Sequence, residues 1–207
     1  MLWRAGGPSL GAWGHPMLMV GSDPVEVERS LVSGELSCPS CRGVLGPWGH
    51  ARQRSTRGPT GMVRHRPRRA RCISCGATHV LLAQLWLSRR ADAGAVIGAA
   101  LEAKAAGSGH RPIAAALGRP ASTVRGWLRR AAVNAEQVRV EFTRLLGALD
   151  PLAAALRPRG SALADAVEAI GRAAAAAVVR LSLVAPWEFA ARVSGGRLLA
   201  PSLGVGW

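Results

Sequence analysis

Apolar positions along this chain change spacing three times, and each spacing predicts a different kind of element. From Ser22 to Ser33, Val25, Val27, Leu31 and Val32 are set among charged residues. Asp23 suits the cap position and Pro24 the first turn, so a short helix is expected within 22–35. Between Leu36 and residue 85 the apolar runs are brief. Val44–Trp48, Met62–His65 and Thr78–Leu82 predict short strands, and Arg54–Gly61 reads as a loop. After residue 90 the helical period takes over. A helix is expected over Ala91–Ala106, a short one over Pro112–Leu117, and a third from Ala121 to about Ala132. Gly118-Arg119-Pro120 makes the turn between the last two. Ile113, Leu117, Val124, Trp127 and Leu128 are spaced to share one core, as in a tri-helical helix-turn-helix domain over 90–133.

Beyond residue 133 the steps alternate between four and three. Asn134 with Gln137 reads as a capping box that starts a separate helix running to Leu149. Asp150-Pro151 ends it, and a second long helix is expected over Ala162–Leu183, followed by a short one from Pro186. The two long stripes predict a helical hairpin or a dimer seam within 134–192, with packing against the preceding helices an equal alternative. Residues 193–207 are expected to form a flexible tail. Residues 1–21, with scattered Trp, Gly and Pro, are expected to form a disordered extension, with Met17 and Met19 as alternative starts. The fold class expected from this pattern is mainly α: a small zinc ribbon of short β-strands over 36–85, then the helix-turn-helix domain and the C-terminal hairpin.

Composition tempers the core. Hydrophobic residues make up 49% of the chain, but much of that share is alanine; there is no tyrosine and there are two phenylalanines. Several small helical or metal-held units are therefore expected rather than one deep core. Charge adds a partner. The net charge of +15 favours a polyanion, although Lys104 is the sole lysine among 27 basic residues, a bias that a GC-rich genome also produces. The distribution is more telling than the total. Between Glu35 and Asp92 there are eleven arginines and no acid, and between Glu102 and Glu136 the basic residues again stand without acids.

The four cysteines form two Cys-x-x-Cys pairs, Cys38/Cys41 and Cys72/Cys75. Each pair can present two thiolates from one tight turn, and four thiolates complete the tetrahedral shell of a structural Zn2+. Gly43 and Gly76 follow the pairs, where such turns need backbone freedom. The competing assignments are two unrelated pairs or a redox dithiol, and no βαβ redox unit surrounds either. His50, His65 and His79 are candidate substitute ligands, but with four cysteines available they are expected to face solvent or phosphate. A closed four-sulfur shell leaves no position for a reactive water.

In the helix-turn-helix, the second helix is expected in the major groove of double-stranded DNA. Arg125 is the expected base reader, because arginine pairs bidentately with guanine. Ser122, Thr123, Arg129 and Arg130 are expected to hold phosphate and set register, with Arg119 near the rim of the same DNA-binding face. Arg52, Arg54, Arg68 and Arg69 are secondary phosphate contacts on the ribbon. A solvated basic face is the competing assignment for both sets.

No stretch of 18 uncharged apolar residues occurs, and the N-terminus lacks the apolar run of an export signal. Paired cysteines in that context point to a reducing cytoplasm, here at the bacterial nucleoid. The acids form no paired catalytic set, Lys104 lies in no phosphate-cradling glycine loop, and no nucleophile has a partner histidine, so the chain is expected not to be an enzyme.

Cys-Pro-x-Cys, Trp48-Gly49-His50-Ala51-Arg52 and Arg68-Arg69-Ala70-Arg71-Cys72-Ile73-Ser74-Cys75 together resemble the N-terminal zinc ribbon of insertion-sequence transposases. Gly118–Leu128 is similar to the helix-turn-helix modules of those proteins. The whole arrangement resembles an actinobacterial family of zinc-ribbon and helix-turn-helix proteins associated with mobile elements. The resemblance covers roughly residues 36–132. It implies DNA recognition linked to transposition, with the C-terminal helices engaging a homodimer or a separate recombinase subunit. Full-length transposases carry an RNase-H-like domain with three acids, and the strand pattern for one is not found here. A stand-alone transcriptional regulator that dimerises through its C-terminal helices is the alternative.

Overall fold

The computed structural model describes residues 17–181 and 185–201. Its organising element is a strand that serves two cores at once. Among the described residues the strands are β1 (Met17–Val20), β2 (Leu45–His50), β3 (Arg54–Arg57), β4 (Met62–His65), β5 (Arg68–Cys72) and β6 (Thr78–Ala83). Four of them build a sheet in the order β1-β6-β5-β2, with β1 parallel to β6 and the other pairs antiparallel. β3 and β4 form a separate antiparallel hairpin. Successive side chains of a strand point to opposite faces. Leu81 of β6 therefore enters a small core with Val20, Leu31, Cys38, Leu45, Ala70 and Cys72, while its neighbour Leu82 enters a large helical core.

The helices among the described residues follow the same logic of buried stripes. α1 (Pro24–Val32) is capped by Asp23, whose Oδ1 accepts from the Val25 N–H at 2.8 Å. It lays Leu31 on the small core. α2 (Gly94–Ala105), α3 (His110–Leu117) and the first part of α4 (Ala121–Leu149) are the tri-helical unit, closed around Val96, Ile97, Ile113, Val124, Trp127 and Leu128. Between α3 and α4, Gly118 takes a left-handed conformation (φ 61°, ψ 40°), which glycine adopts without a Cβ penalty. α5 (Ala162–Leu181) returns along α4, and α6 (Pro186–Val193) closes the base. The buried side of α5 is Ile170 with Ala164, Ala166, Ala169, Ala173, Ala174 and Ala177, facing a core that includes Ala135, Val138, Phe142 and Leu146 of α4. Small side chains at helical spacing let two helix axes approach closely. Gly98 does the same for α2: a Cβ there would lie inside the Trp187 indole of α6.

The architecture corrects several expectations. The chain is a mixed α/β fold with a four-stranded sheet, not a mainly α protein with a simple ribbon at its start. Its large core runs continuously from Leu82 to Leu199 instead of being divided among small units. Met17–Val20, inside the segment expected to be disordered, is β1 and gains its order from backbone pairing with β6. Residues 1–16 lie outside the described residues. Arg54–Arg57, expected in a loop, is β3. α4 runs without interruption through Asn134. That side chain caps nothing; it is buried, and its Nδ2 donates to the carbonyls of Leu198 (3.4 Å) and Ala200 (2.9 Å). The segment after α6, expected to be flexible, is held by those bonds and buries Ser194, Leu198 and Leu199. Residues 182–184 and 202–207, the ends of the expected long helix and tail, lie outside the described residues.

Candidate metal centre and nucleic-acid interface

The two cysteine turns are near copies of each other. In the first, the Arg42 N–H donates to the Cys38 carbonyl (2.8 Å) and the Cys38 N–H to Gly43 (2.7 Å). In the second, Gly76 N–H donates to Cys72 (3.1 Å) and Cys72 N–H to Ala77 (2.8 Å). Each turn ends in a left-handed residue, Arg42 at φ 63° and Gly76 at φ 71°. The expected need for freedom at Gly43 is thus misplaced, because the positive φ falls on Arg42. Gly43 is required for a different reason. A Cβ there would strike the Ser74 side chain and come within 3.2 Å of Cys72 Sγ, so the glycine lets the two turns close on each other.

All four sulfurs lie within 4.8 Å of one another. Cys38 and Cys75 are 3.8 Å apart, and Cys41 and Cys72 are 3.4 Å apart. Cys38 and Cys72 are buried, while Cys41 and Cys75 are exposed. Charge is shared unevenly among them. The Cys75 backbone N–H, 3.5 Å from Cys72 Sγ, leads the groups that draw the Cys72 thiol down to about 6, against desolvation. At Cys41 the Gly43 backbone N–H pulls downward, but hydrogen bonds with the Cys72 and Cys75 sulfurs outweigh it and push the thiol up to about 12. A first thiolate in such a cluster opposes the next, and a bound cation removes that opposition. The donor set therefore suits a metal ion. His79, expected to face solvent or phosphate, is instead buried, with Nε2 3.4 Å from Cys38 Sγ. Were Cys38 a metal-bound thiolate, the Nε2–H tautomer of His79 would donate to it and orient it from outside the sulfur shell. No feature of the spacing around His79 distinguishes it from His50 in the sequence.

The helix-turn-helix presents Ser122, Arg125 and Arg129 as exposed residues along α4, with Thr123 half-buried. Arg130 is also half-buried, and its Nη1 donates to the Gly126 carbonyl at 3.1 Å. Arg119 is placed differently from its expected position on a phosphate-facing rim. Its Nε donates to Asp92 Oδ1 at 2.6 Å, and its other nitrogens reach the carbonyls of Leu117 (3.0 Å), Gly118 (3.3 Å) and Gly58 (3.3 Å). Asp92, with a side chain 3% exposed, also accepts from Arg57 at 2.7 Å. This Arg57–Asp92–Arg119 clamp joins the β3–β4 hairpin to the turn of the helix-turn-helix. A clue to it was present in the chain: Asp92 is the only acid between Glu35 and Glu102.

No family model, curated protein or solved structure matches this chain. The likeness to transposase DNA-binding regions therefore stays with the residues that suggested it. Among the ribbon arginines, Arg52 and Arg54 are exposed. Arg68 is engaged internally: it pairs with Glu28 at 2.7 and 2.9 Å and reaches the Gly49 carbonyl at 2.5 Å. That pairing lowers the Glu28 pKa and raises that of Arg68. Arg69 is half-buried and donates to Thr78 Oγ1 at 3.4 Å. His65, also expected to face solvent or phosphate, stacks on Trp86 with centroids 4.8 Å apart, and burial lowers its pKa. Among the described residues, no helix is long and apolar enough to cross a membrane.

Proposed function

We propose that this protein binds double-stranded DNA through the helix-turn-helix, with a structural zinc ion held by Cys38, Cys41, Cys72 and Cys75. The observation that carries the reading is the first part of α4. It follows a tight left-handed turn, is backed by a tri-helical core, and leaves Ser122, Arg125 and Arg129 exposed. A helix presented in this way fits the major groove, with Arg125 placed to pair with guanine and Ser122 and Arg129 to meet phosphate. The surrounding charge supports it. The one acid between Glu35 and Glu102 is buried between two arginines, so it does not oppose an approaching phosphate backbone.

Zinc is favoured by the all-thiolate donor set. Bonds of about 2.3 Å place tetrahedral sulfurs about 3.8 Å apart; two of the pairs here are 3.8 and 3.4 Å apart, and all four sulfurs lie within 4.8 Å of one another. Zinc would pin β5 to the segment between α1 and β2, and so stiffen the sheet on which the helical core rests.

The test is selection of genomic fragments by the zinc-loaded protein at moderate salt, repeated with Arg125→Ala. The expected result is enrichment of a defined site and a relaxed preference at one position of it in the variant, worth about 1–3 kcal/mol of discrimination. Enrichment at the ends of mobile elements would support a role in transposition, and enrichment at promoters a regulator. No enrichment, or a chelator that alters neither folding nor binding, would overturn the corresponding half of the proposal.

A further inference from the structure

The β3–β4 hairpin is attached to the helix-turn-helix more firmly than a ribbon loop needs to be. Arg57 N–H donates to the Ala91 carbonyl (2.8 Å) and Ala93 N–H to the Arg57 carbonyl (2.9 Å), which adds a backbone bridge just ahead of α2. Asp92 ties the same arginine to Arg119, and Arg119 reaches the Gly58 carbonyl at the hairpin's turn. On the other face, Thr56 is buried and His65 lies on Trp86. The turn of the hairpin, closed by Gly58 N–H to Gly61 at 2.6 Å, is thus fixed beside Gly118-Arg119, immediately before α4 begins.

What the hairpin leaves uncovered is suited to nucleic acid. Cross-strand pairing sets Ser55 opposite Arg64 and Arg57 opposite Met62 on one face, where Arg57 is held by Asp92 and the other three side chains are left exposed. Arg64 and Ser55 are exposed, and Met62 is 61% exposed. Pro59, Thr60 and Gly61 at the tip are exposed as well, and Arg52, Arg54 and Arg66 add exposed positive charge nearby. A rigid arm beside the N-terminal end of a groove-bound helix meets the sugar–phosphate wall and the minor groove beyond it. Arginine is attracted to a narrow minor groove, and apolar side chains such as methionine pack on its sugars and base steps.

We propose that the β3–β4 hairpin is a second DNA reader, its tip lying on the minor groove that flanks the major-groove site, with Arg64 as its principal contact and Met62 beside it. The inference rests on the DNA-binding reading above. It adds a preference for A·T-rich flanks, where the minor groove is narrow, that the recognition helix alone would not give.

The test uses the full-length, zinc-loaded protein on its selected site, with hydroxyl-radical footprinting and affinity measured at several salt concentrations. The expected wild-type footprint extends past the major-groove site into one adjacent minor groove. Arg64→Ala should lose that flanking protection, bind about tenfold more weakly, and lower the salt slope by about one, with base preference in the major-groove site retained. Arg125→Ala should do the reverse, losing base preference and keeping the flanking protection. Zinc content and melting of both variants should match the wild type, since both side chains are exposed. Unchanged flanking protection in Arg64→Ala would overturn the hairpin assignment, whether or not affinity falls, because general charge would then explain any loss. A wild-type protein that selects no site would instead overturn the DNA-binding reading, and this inference with it.

Discussion

Replacing Asp92 with alanine should break the protein at its internal seam. The carboxylate is 3% exposed and accepts from Arg57 and Arg119, whose side chains are 37% and 15% exposed. Removing one partner from a buried charge network leaves the others uncompensated, at a cost of about 3–5 kcal/mol. Arg119 bears most of it, since its guanidinium is enclosed, while Arg57 can turn toward water. For a chain of this length each kcal/mol lowers the melting temperature by about 2–4 °C, so the expected fall is about 6–20 °C. The assay is thermal and urea unfolding at fixed zinc concentration, with hydrogen exchange followed residue by residue. The β3–β4 amides should lose protection first, before those of the tri-helical core, because the clamp and one backbone bridge hold the hairpin to the helices. Asp92→Asn should fall between, because the amide still accepts one hydrogen bond. A loss below about 1 kcal/mol in Asp92→Ala, or unchanged protection of the hairpin, would refute the reasoning and show that water or another side chain satisfies both arginines.

Two further outcomes follow from packing and protonation. Gly98→Ala should destabilise the protein by about 1–3 kcal/mol in chemical denaturation, because its methyl would enter the Trp187 ring and force α2 and α6 apart. His65 has its pKa lowered from 6.5 by burial against Trp86, so the unfolded chain takes up the proton more readily than the folded one. Its stabilising contribution is full above pH 6.5 and declines as pH falls below that value. His65→Phe should remove this part of the pH dependence from hairpin protection in hydrogen exchange, and a profile identical to that of the wild type would disprove the assignment.

The cysteine cluster was legible because two Cys-x-x-Cys pairs carry their geometry in their spacing, whatever fold surrounds them. The helical half was legible where apolar residues recur at 3.6-residue spacing, as in Ile113, Leu117, Val124 and Trp127. What failed did so for physical reasons. β3 has the sequence Arg-Ser-Thr-Arg, which offers no apolar alternation, and its order comes from pairing with β4 and from the Asp92 clamp. Asn134 has the chemistry of a cap, yet tertiary partners 64 and 66 residues away claim its amide. Arg119 resembled its exposed neighbours on the helix, and only the fold shows that its charge is spent on Asp92. Ala174 and Ala177 fall on the expected stripe of the long C-terminal helix, and in the structure both are buried in the core shared with α4.

The continuity of α4 has a mechanical consequence. A helix of 29 residues spans about 43 Å, and its two ends belong to different tasks. One end offers Ser122, Arg125 and Arg129 to solvent; the other is gripped by α5. With no joint between them the element acts as a stiff lever. Any partner that shifts α5 turns the Arg125-bearing end by the same rotation, and DNA bound there as proposed would pull on α5 in return.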